Sequence, residues 1–195
     1  MGSIRLILAS SSPYRRALLE RLRLPFECVN PAIDETARQG EAAADMAVRL
    51  AQAKARKVAE LCPASLVIGC DQVAALAGDC LGKPGGHENA IAQLKAMRGR
   101  DVVFHTALAL LSSVTGTLQL ANVPTTVRFR QYSDGEIECY LAAERPYDCA
   151  GSAKIEGLGI ALVERIVTED PSALIGLPLM QLVTMLGNEG VAVLA

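Results

Sequence analysis

The acid Asp71 is the first candidate for chemistry, because it directly follows the apolar run Leu66–Cys70. The run resumes over Val73–Leu76, which predicts a buried strand on both sides of the acid. A carboxylate in such a place costs free energy unless a metal ion or another cation compensates its charge. We therefore interpret Asp71 as a functional residue, with an ordinary turn acid as the alternative. Gly69 suits a position where another group approaches the backbone closely.

A second candidate is the segment Ser10–Arg16, where a predicted strand leads into a helix. Free backbone N–H groups and the helix dipole make such a junction suitable for an anion. Arg15 and Arg16 oppose the dipole in the first turn, and a bound phosphate would remove that conflict. The alternative is a serine cap followed by two solvated arginines. The segment does not have the spacing of a P-loop.

Two lysines could contribute positive charge to the same site. Lys54 lies four residues from both Leu50 and Val58 on the apolar face of a predicted helix. Its side chain should therefore point inward or extend along that face towards solvent. Lys83 lies in the tight turn Gly82-Lys83-Pro84, which suits presentation of an ammonium group to phosphate. Such a turn is also common on ordinary protein surfaces.

Three further acids complete the candidate set. Asp34 and Glu35 are adjacent in a predicted loop, where they are either solvated or part of a magnesium site. Glu156 lies in a glycine-rich segment and is either a site residue, an exposed turn acid or a partner of its neighbour Lys154.

These residues must be positioned by a mixture of strands and helices. Strands are predicted at Ile4–Ala9, Phe26–Val29, Leu66–Leu76, Cys80–Leu81 and Ile160–Val163, with a hairpin over Val102–Val127 that turns near Ser113–Thr117. Helices are predicted at 12–22, 45–61, 88–97, 133–142 and 178–187. Ser133 and Glu136 have the spacing of a capping box. The lack of strict alternation indicates one α/β domain over residues 1–195, on a mixed, twisted β-sheet flanked by helices.

Composition limits the classes of function. The 195 residues are 51% hydrophobic, which is enough for one compact core, and the net charge is −2 with no long run of one sign. This balance argues against binding to a nucleic acid polymer or a membrane surface, but allows a small anionic ligand. The uncharged stretch Val102–Val127 is too polar for a convincing membrane span. With no signal-peptide core near the N-terminus, we expect a cytoplasmic protein.

Cysteine and histidine usage limits the metals. The six cysteines form no C-x-x-C pair, and there are only two histidines, so no zinc site is predicted. We expect reduced, mostly buried thiols. Any metal should be a hard cation held by carboxylates, such as magnesium or manganese.

The ordered combination of these motifs resembles the Maf family over nearly the whole chain. Leu8–Arg15 is similar to the L-A-S-x-S-P-R-R opening of that family. The other matching segments, in order, are Ile33–Glu35, Leu50–Ala55, Ile68–Gln72, Gly82–Pro84, Ser133–Ile137, Ala150–Ser152, Ile155–Gly159 and Gly176–Pro178. The resemblance implies a nucleoside triphosphate pyrophosphatase with a Maf/ITPase-like mixed sheet, usually homodimeric and dependent on a divalent metal.

Carried over by position, the resemblance implies roles for single residues. Asp71 would be the catalytic acid/base and, together with Glu35, would bind the metal. Substrate binding would fall to Ser10, Ser12, Tyr14, Arg15, Lys54, Gln72, Lys83 and Glu156. Arg16 lies outside the matched pair of arginines, so the resemblance assigns it no role.

Two departures from the commoner family pattern concern the base of the substrate. Tyr14 stands where the family has its first arginine, and Glu156 replaces the glutamine of an I-Q-G segment. Both changes are similar to the YceF-type branch, which acts on 7-methyl-GTP rather than on dTTP and UTP. A 7-methylated guanine is positively charged and can stack on an aromatic ring. Its N–H groups can donate to a carboxylate such as that of Glu156.

The predicted reaction is therefore hydrolysis of the α–β phosphoanhydride of 7-methyl-GTP to 7-methyl-GMP and diphosphate. One alternative is a dTTP/UTP pyrophosphatase of the same family. The other is a non-enzymatic, nucleotide-binding regulator of cell division. The presence of Asp71 and Glu35 favours catalysis, because a binding module does not need water-activating carboxylates.

Overall fold

The computed structural model describes residues 5–194. Its strands are β1 (Arg5–Ala9), β2 (Phe26–Cys28), β3 (Ser65–Leu76), β4 (Asp79–Leu81), β5 (Asp101–Ser112), β6 (Leu118–Phe129) and β7 (Val163–Thr168). Its α-helices are α1 (Pro13–Glu20), α2 (Ala43–Leu61), α3 (His87–Met97), α4 (Asp134–Glu144) and α5 (Leu179–Asn188). Two short 3₁₀ helices, Ala150–Ser152 and Leu158–Leu162, lie between α4 and β7. Ile4, the predicted start of the first strand, lies outside the described residues.

The seven strands form one mixed sheet in the order β2-β1-β3-β5-β6-β7, with β4 paired to β3. Strand β1 runs parallel to β2 and β3, whereas β5, β6 and β7 form antiparallel pairs. The predicted α/β class and mixed sheet are confirmed, and so is the long hairpin of β5 and β6.

Helices cover both faces of this sheet, and the alternation of side chains along each strand decides which helix each residue meets. Ile7 and Val67 point to the face on which α2 packs. Leu6 and Leu8 point to the opposite face, against α1 and α5. That second face also carries α3 and α4, which pack on Phe104 near the start of β5.

Helix α2 approaches strand β3 unusually closely, because Gly69 has no side chain. A Cβ atom at Gly69 would lie 2.1 Å from the carbonyl oxygen of Ala51 and 2.8 Å from the backbone nitrogen of Ala55. The expected close approach to the Gly69 backbone is confirmed. Its consequence is that Lys54, on the same turns of α2, lies directly beside the continuation of β3.

Predicted boundaries are wrong at the last strand and, by two residues, at the end of α1, the start of α2 and the end of α4, whereas one capping motif is confirmed. Residues Leu158–Leu162 form a 3₁₀ helix, and the strand predicted at Ile160–Val163 instead begins at Val163 and ends at Thr168. The register of β6 with β7 explains this, since Val163 is the first residue to pair, opposite Phe129. Helix α1 ends at Glu20 rather than near residue 22. The capping box of Ser133 and Glu136 begins α4 as predicted.

The expectation of mostly buried thiols is also wrong. All six cysteines are free, but only Cys62 and Cys70 are buried. Cys28, Cys80 and Cys139 are exposed, while Cys149 is half-buried. Within residues 5–194, no helix is both long enough and apolar enough to cross a membrane.

Candidate functional site

The buried pair of Asp71 and Lys54 forms the centre of the site. Odd-numbered side chains of β3 face α2, so Asp71 points towards the helix, as Gly69 does two residues earlier. Lys54 Nζ donates to Asp71 Oδ1 at 2.5 Å, and the two residues are only 5% and 7% exposed. Lys54 therefore points inward, which resolves the alternatives left by its helical position. Each buried charge is compensated by the other.

Glu35 approaches the same lysine from the loop before α2. Lys54 Nζ lies 2.6 Å from Glu35 Oε1, so one ammonium group bridges two carboxylates. Partial burial raises the pKa of Glu35. The hydrogen bond and charge of Lys54, helped by the charges of Lys83 and Arg15, lower it by a larger amount. The net effect is a pKa below the usual value, and Glu35 is ionised at neutral pH. We call the three cations Arg15, Lys54 and Lys83, together with the Glu35 carboxylate near them, the basic cluster.

Asp34 does not join this cluster. Its Oδ1 accepts hydrogen bonds from the backbone and the side chain of Thr36, at 2.9 and 2.6 Å, so that it closes a local turn. Of the two adjacent acids, only Glu35 reaches the buried lysine.

The start of helix α1 has the features of an anion site. Ser10 Oγ accepts from the backbone N–H of Ser12, and Ser12 caps the helix by accepting from the backbone N–H of Arg15. The backbone N–H groups of Ser11 and Tyr14 donate to no described residue. Two free amide groups at a helix N-terminus favour an anionic ligand.

The two arginines of α1 have different surroundings. Arg15 is half-buried and lines the cleft, and its Nε donates to the carbonyl oxygen of Gly176 at 2.9 Å. It forms no ion pair with an acid in the described part of the chain, so its charge is available to a ligand. Arg16 forms an exposed pair with Glu20 on the same helix. The interpretation as solvated side chains therefore applies to Arg16 and not to Arg15.

A segment that sequence reasoning did not assign to the site, Ala173–Gly176, covers the opposite face of β3. Gln72 faces it, and its Nε2 donates to the carbonyl oxygens of Ala173 and Leu174 at 3.0 and 3.1 Å. Cys70 Sγ donates to the carbonyl oxygen of Gly176 at 2.9 Å, and burial raises the pKa of this thiol to about 11. Gln72 therefore positions this segment as well as lining the cleft.

These elements enclose a cleft of about 390 Å³. It is lined by every predicted substrate-binding residue, namely Ser10, Ser12, Tyr14, Arg15, Lys54, Gln72, Lys83 and Glu156, and by Glu35. Asp71 lies outside this lining, buried against Lys54. The exposed Lys83 forms no ion pair with any residue in the described range 5–194, so its charge is available to a ligand.

A second group in the cleft surrounds Tyr14 and has a different character. It consists of Tyr14, Asp148, Cys149 and Glu156, which we call the aromatic cluster. Burial raises the pKa of Tyr14, and nearby Cys149 and Asp148 raise it further. Burial together with the charges of Asp148 and Glu156 raises the pKa of Cys149 to about 12, so its thiol stays protonated at neutral pH.

Lys154 completes the surroundings of Tyr14. Its Nζ lies 6.0 Å from the centroid of the Tyr14 ring. It pairs with Glu144 at 3.0 Å, not with its neighbour Glu156, so the suggested Lys154–Glu156 pair is wrong. The family motif in this part of the chain begins at Ala150, so the sequence alone does not identify Asp148 and Cys149 as site residues.

The donor set is compatible with a divalent metal, but the protein alone does not complete a metal site. Among residues 5–194, no group of three His, Cys, Asp or Glu residues is arranged to hold an ion. Glu35 and Asp71 converge on one point, presently the Lys54 ammonium, and Asp71 Oδ2 accepts no hydrogen bond from a described residue. Magnesium often uses one or two carboxylates and takes its remaining ligands from water and substrate phosphates.

The fold and the cleft together define a class of protein. This is a mixed-sheet α/β protein whose cleft combines free amide groups and three cations, which suit a phosphorylated ligand, with the acid Glu35, while Asp71 is buried beside Lys54. The chain matches the model of the family described as Maf-like protein over residues 5–189. It therefore belongs to the Maf family.

Curated relatives cover almost the full length of the chain. A protein of Methylobacillus flagellatus is 59% identical over 97% of this chain and 98% of its own length. One from Ralstonia nicotianae is 61% identical over 94% of both chains. A third, from Thiobacillus denitrificans, is 58% identical over 97% of this chain and 94% of its own. All three relatives are named 7-methyl-GTP pyrophosphatase.

Proposed function

We propose that this protein hydrolyses 7-methyl-GTP to 7-methyl-GMP and diphosphate. The observation that carries the proposal is the presence of both clusters in one cleft. The basic cluster suits the triphosphate, and the aromatic cluster offers a ring with two carboxylates to a positively charged base. The names of the near full-length relatives support the same substrate.

The proposed reaction joins a water oxygen to the α-phosphorus and breaks the bond from that phosphorus to the bridging oxygen. That oxygen leaves as part of diphosphate. Asp71 orients the water and accepts its proton, while Arg15, Lys54 and Lys83 stabilise the charge that develops on the transferred and leaving phosphates. The free amide groups at the start of α1 orient the phosphate chain.

Glu35 and Asp71 are the residues that would hold a magnesium or manganese ion. Such an ion lowers the pKa of a bound water and neutralises charge on the phosphate oxygens. An ion held there would compete with the Lys54 ammonium, which now pairs with both of these carboxylates. The metal requirement stays a prediction, which removal of divalent ions by a chelator and their readdition would test.

The base is selected at the aromatic cluster. Tyr14 stacks on the methylated purine, and Glu156 accepts hydrogen bonds from its N–H groups. Neither dTTP nor UTP carries a positive charge on its base, so the two carboxylates of this cluster would not favour them.

Pyrophosphate release from a panel of nucleotides tests this proposal. With magnesium present, 7-methyl-GTP should give the highest kcat/KM among 7-methyl-GTP, GTP, dTTP and UTP. A preference for dTTP or UTP would contradict the substrate and leave the reaction type. Tight nucleotide binding without any pyrophosphate release would favour the regulator instead.

We also propose a homodimer, on the basis of the family resemblance, and light scattering of the purified protein would test it. The cytoplasmic location stays a prediction.

A further inference from the structure

Glu144, at the end of α4, lies outside the cleft but contacts the segment that carries Glu156 at two points. Its Oε1 accepts from the backbone N–H of Leu158 at 2.6 Å, and its Oε2 accepts from Lys154 Nζ at 3.0 Å. These two partners flank Glu156 on either side in the chain. The side chain of Glu144 is only 17% exposed, so both contacts are partly shielded from water.

The turn between these partners is closely fitted to the carboxylate. The carbonyl oxygen of Lys154 accepts from the backbone N–H groups of Gly157 and Gly159, both at 3.1 Å. A Cβ atom at Gly157 would lie 2.4 Å from Glu144 Oε1, so a larger residue there would force this carboxylate to move. The absence of a side chain at Gly157 thus allows the carboxylate to lie directly against the turn.

A second residue of α4 fastens the start of the same turn. Tyr140 lies one helical turn before Glu144, and its hydroxyl accepts from the backbone N–H of Lys154 at 2.9 Å and donates to the carbonyl oxygen of Ser152 at 3.0 Å. Helix α4 therefore fixes residues 152–158, and with them the position from which Glu156 enters the cleft.

The charge of Glu144 matters as well as its position. Lys154 is the cation beside Tyr14, and the hydrogen bond that it donates to Glu144 is the largest cause of its raised pKa. Without Glu144, the Lys154 ammonium group would lose this partner. It would remain 6.0 Å from the Tyr14 ring, on which a cationic base is proposed to stack. Like charges at such a distance repel each other.

We propose that Glu144 is a positioning residue for base selection, which holds the Glu156 turn and neutralises Lys154 so that the aromatic cluster favours a cationic purine. This inference rests on the proposed function. The consequence is specific to charge, because 7-methyl-GTP and GTP differ at the base by one methyl group and one positive charge.

The test compares kcat/KM for 7-methyl-GTP and GTP in four proteins: wild type, Glu144→Gln, Lys154→Gln and the double variant. Glutamine keeps an oxygen for the Leu158 N–H but removes the charge that pairs Lys154. Glu144→Gln should lower the preference for 7-methyl-GTP over GTP about fivefold, chiefly through KM for 7-methyl-GTP. The double variant should recover most of the wild-type preference, since neither charge remains.

Glu138→Gln is the matched control, because Glu138 is also on α4 and pairs with His87 on the surface at 3.1 Å. It should leave the preference unchanged. Where GTP turnover is too slow to measure, the dissociation constants of 7-methyl-GMP and GMP give the same ratio.

Each outcome has a distinct meaning. An unchanged preference in Glu144→Gln, or a double variant that does not recover, would overturn the positioning role while the proposed function stands. Failure of the wild-type protein to release pyrophosphate from 7-methyl-GTP would instead overturn the proposed function itself.

Discussion

The basic cluster and the aromatic cluster share one cleft but are built from different kinds of structure. Lys54 lies in the long helix α2 and its partner Asp71 in the central strand β3, and both are buried. Asp148, Cys149 and Glu156 lie in the irregular segment between α4 and β7. Lys54 and Asp71 are thus fixed by the core of the domain, whereas Glu35 and Lys83 lie in loops. Except for Tyr14, which lies in α1, the groups proposed for base selection lie on a segment whose residues can change without disturbing the sheet.

The largest expected effect is the loss of turnover on changing Asp71, the acid beside the basic cluster. Asp71→Asn should lower turnover on every triphosphate by about a hundredfold or more, because it removes the proposed general base. The ranking of substrates should stay the same. Pyrophosphate release measures the loss, and circular dichroism establishes whether the variant is folded.

Asp101→Asn provides a matched control for that change. Asp101 is a half-exposed acid at the start of β5 and lies 3.7 Å from Arg128. It does not line the cleft and has no proposed role in catalysis. It should retain normal turnover. Near-normal pyrophosphate release by a folded Asp71→Asn protein would remove Asp71 from the mechanism.

A second prediction concerns the close contact that sets the position of Lys54. In Gly69→Ala the new methyl group would meet the backbone of α2, so the helix must move away from β3. We expect a loss of about 1–3 kcal/mol in the free energy of unfolding, together with reduced turnover on all substrates. Denaturant unfolding and pyrophosphate release measure the two effects.

Gly187→Ala is the control for Gly69→Ala, since Gly187 lies in helix α5 with open space around it. Alanine should be neutral or slightly stabilising there. A Gly69→Ala protein as stable and active as wild type would mean that the close packing of α2 does not set the site.

A smaller effect is expected at the pair that supports the Glu35 loop. Arg49 donates to both carboxylate oxygens of Glu41, at 2.5 and 2.6 Å, and also to the carbonyl oxygen of Thr36 at 3.2 Å. The hydrogen bonds from Arg49 lower the pKa of Glu41 from 4.5 to about 2. Because the folded-state pKa is the lower one, this stabilisation is present above about pH 4.5 and is lost as the pH falls towards 2.

Glu41→Gln should therefore lower the melting temperature by a few degrees at pH 7 and by progressively less below pH 4.5. Thermal unfolding over a pH series measures this difference. Glu60→Gln, which breaks an exposed pair with Lys57, should show no comparable pH dependence. A constant difference between wild type and Glu41→Gln across the series would contradict the pKa of Glu41.

The centre of the basic cluster could be predicted from the sequence, because simple periodicities position Lys54 and its partner Asp71. Residues alternate along β3, so Asp71 had to face the same side as Gly69, and the helical spacing of Lys54 placed it on the apolar face of α2. A buried acid and an inward-pointing lysine on neighbouring elements then need each other. The residues alone left Asp34 and Glu35 as an undecided pair, and only the family resemblance singled out Glu35.

The surroundings of the aromatic cluster could not be predicted in the same way. Glu144 and Lys154 meet only because residues 150–162 form two 3₁₀ helices and turns, which have no apolar repeat to reveal them. The same irregularity led to the wrong strand at Ile160–Val163. The segment Ala173–Gly176 is held by Arg15 of α1 and by Cys70 and Gln72 of β3, all far away in sequence, and no local pattern indicates such contacts.

The central claim is that the basic cluster binds the phosphates and the aromatic cluster selects the base. It is tested most directly by comparing Lys83→Ala with Glu156→Gln on 7-methyl-GTP and dTTP. Lys83 should contact only phosphate, which both substrates share, so its loss should lower kcat/KM for both to a similar degree. Glu156→Gln turns one acceptor into a donor facing the guanine N–H groups, and should lower kcat/KM for 7-methyl-GTP alone by about tenfold to a hundredfold. A Lys83→Ala protein with altered substrate ranking, or a Glu156→Gln protein with unaltered ranking, would contradict this account.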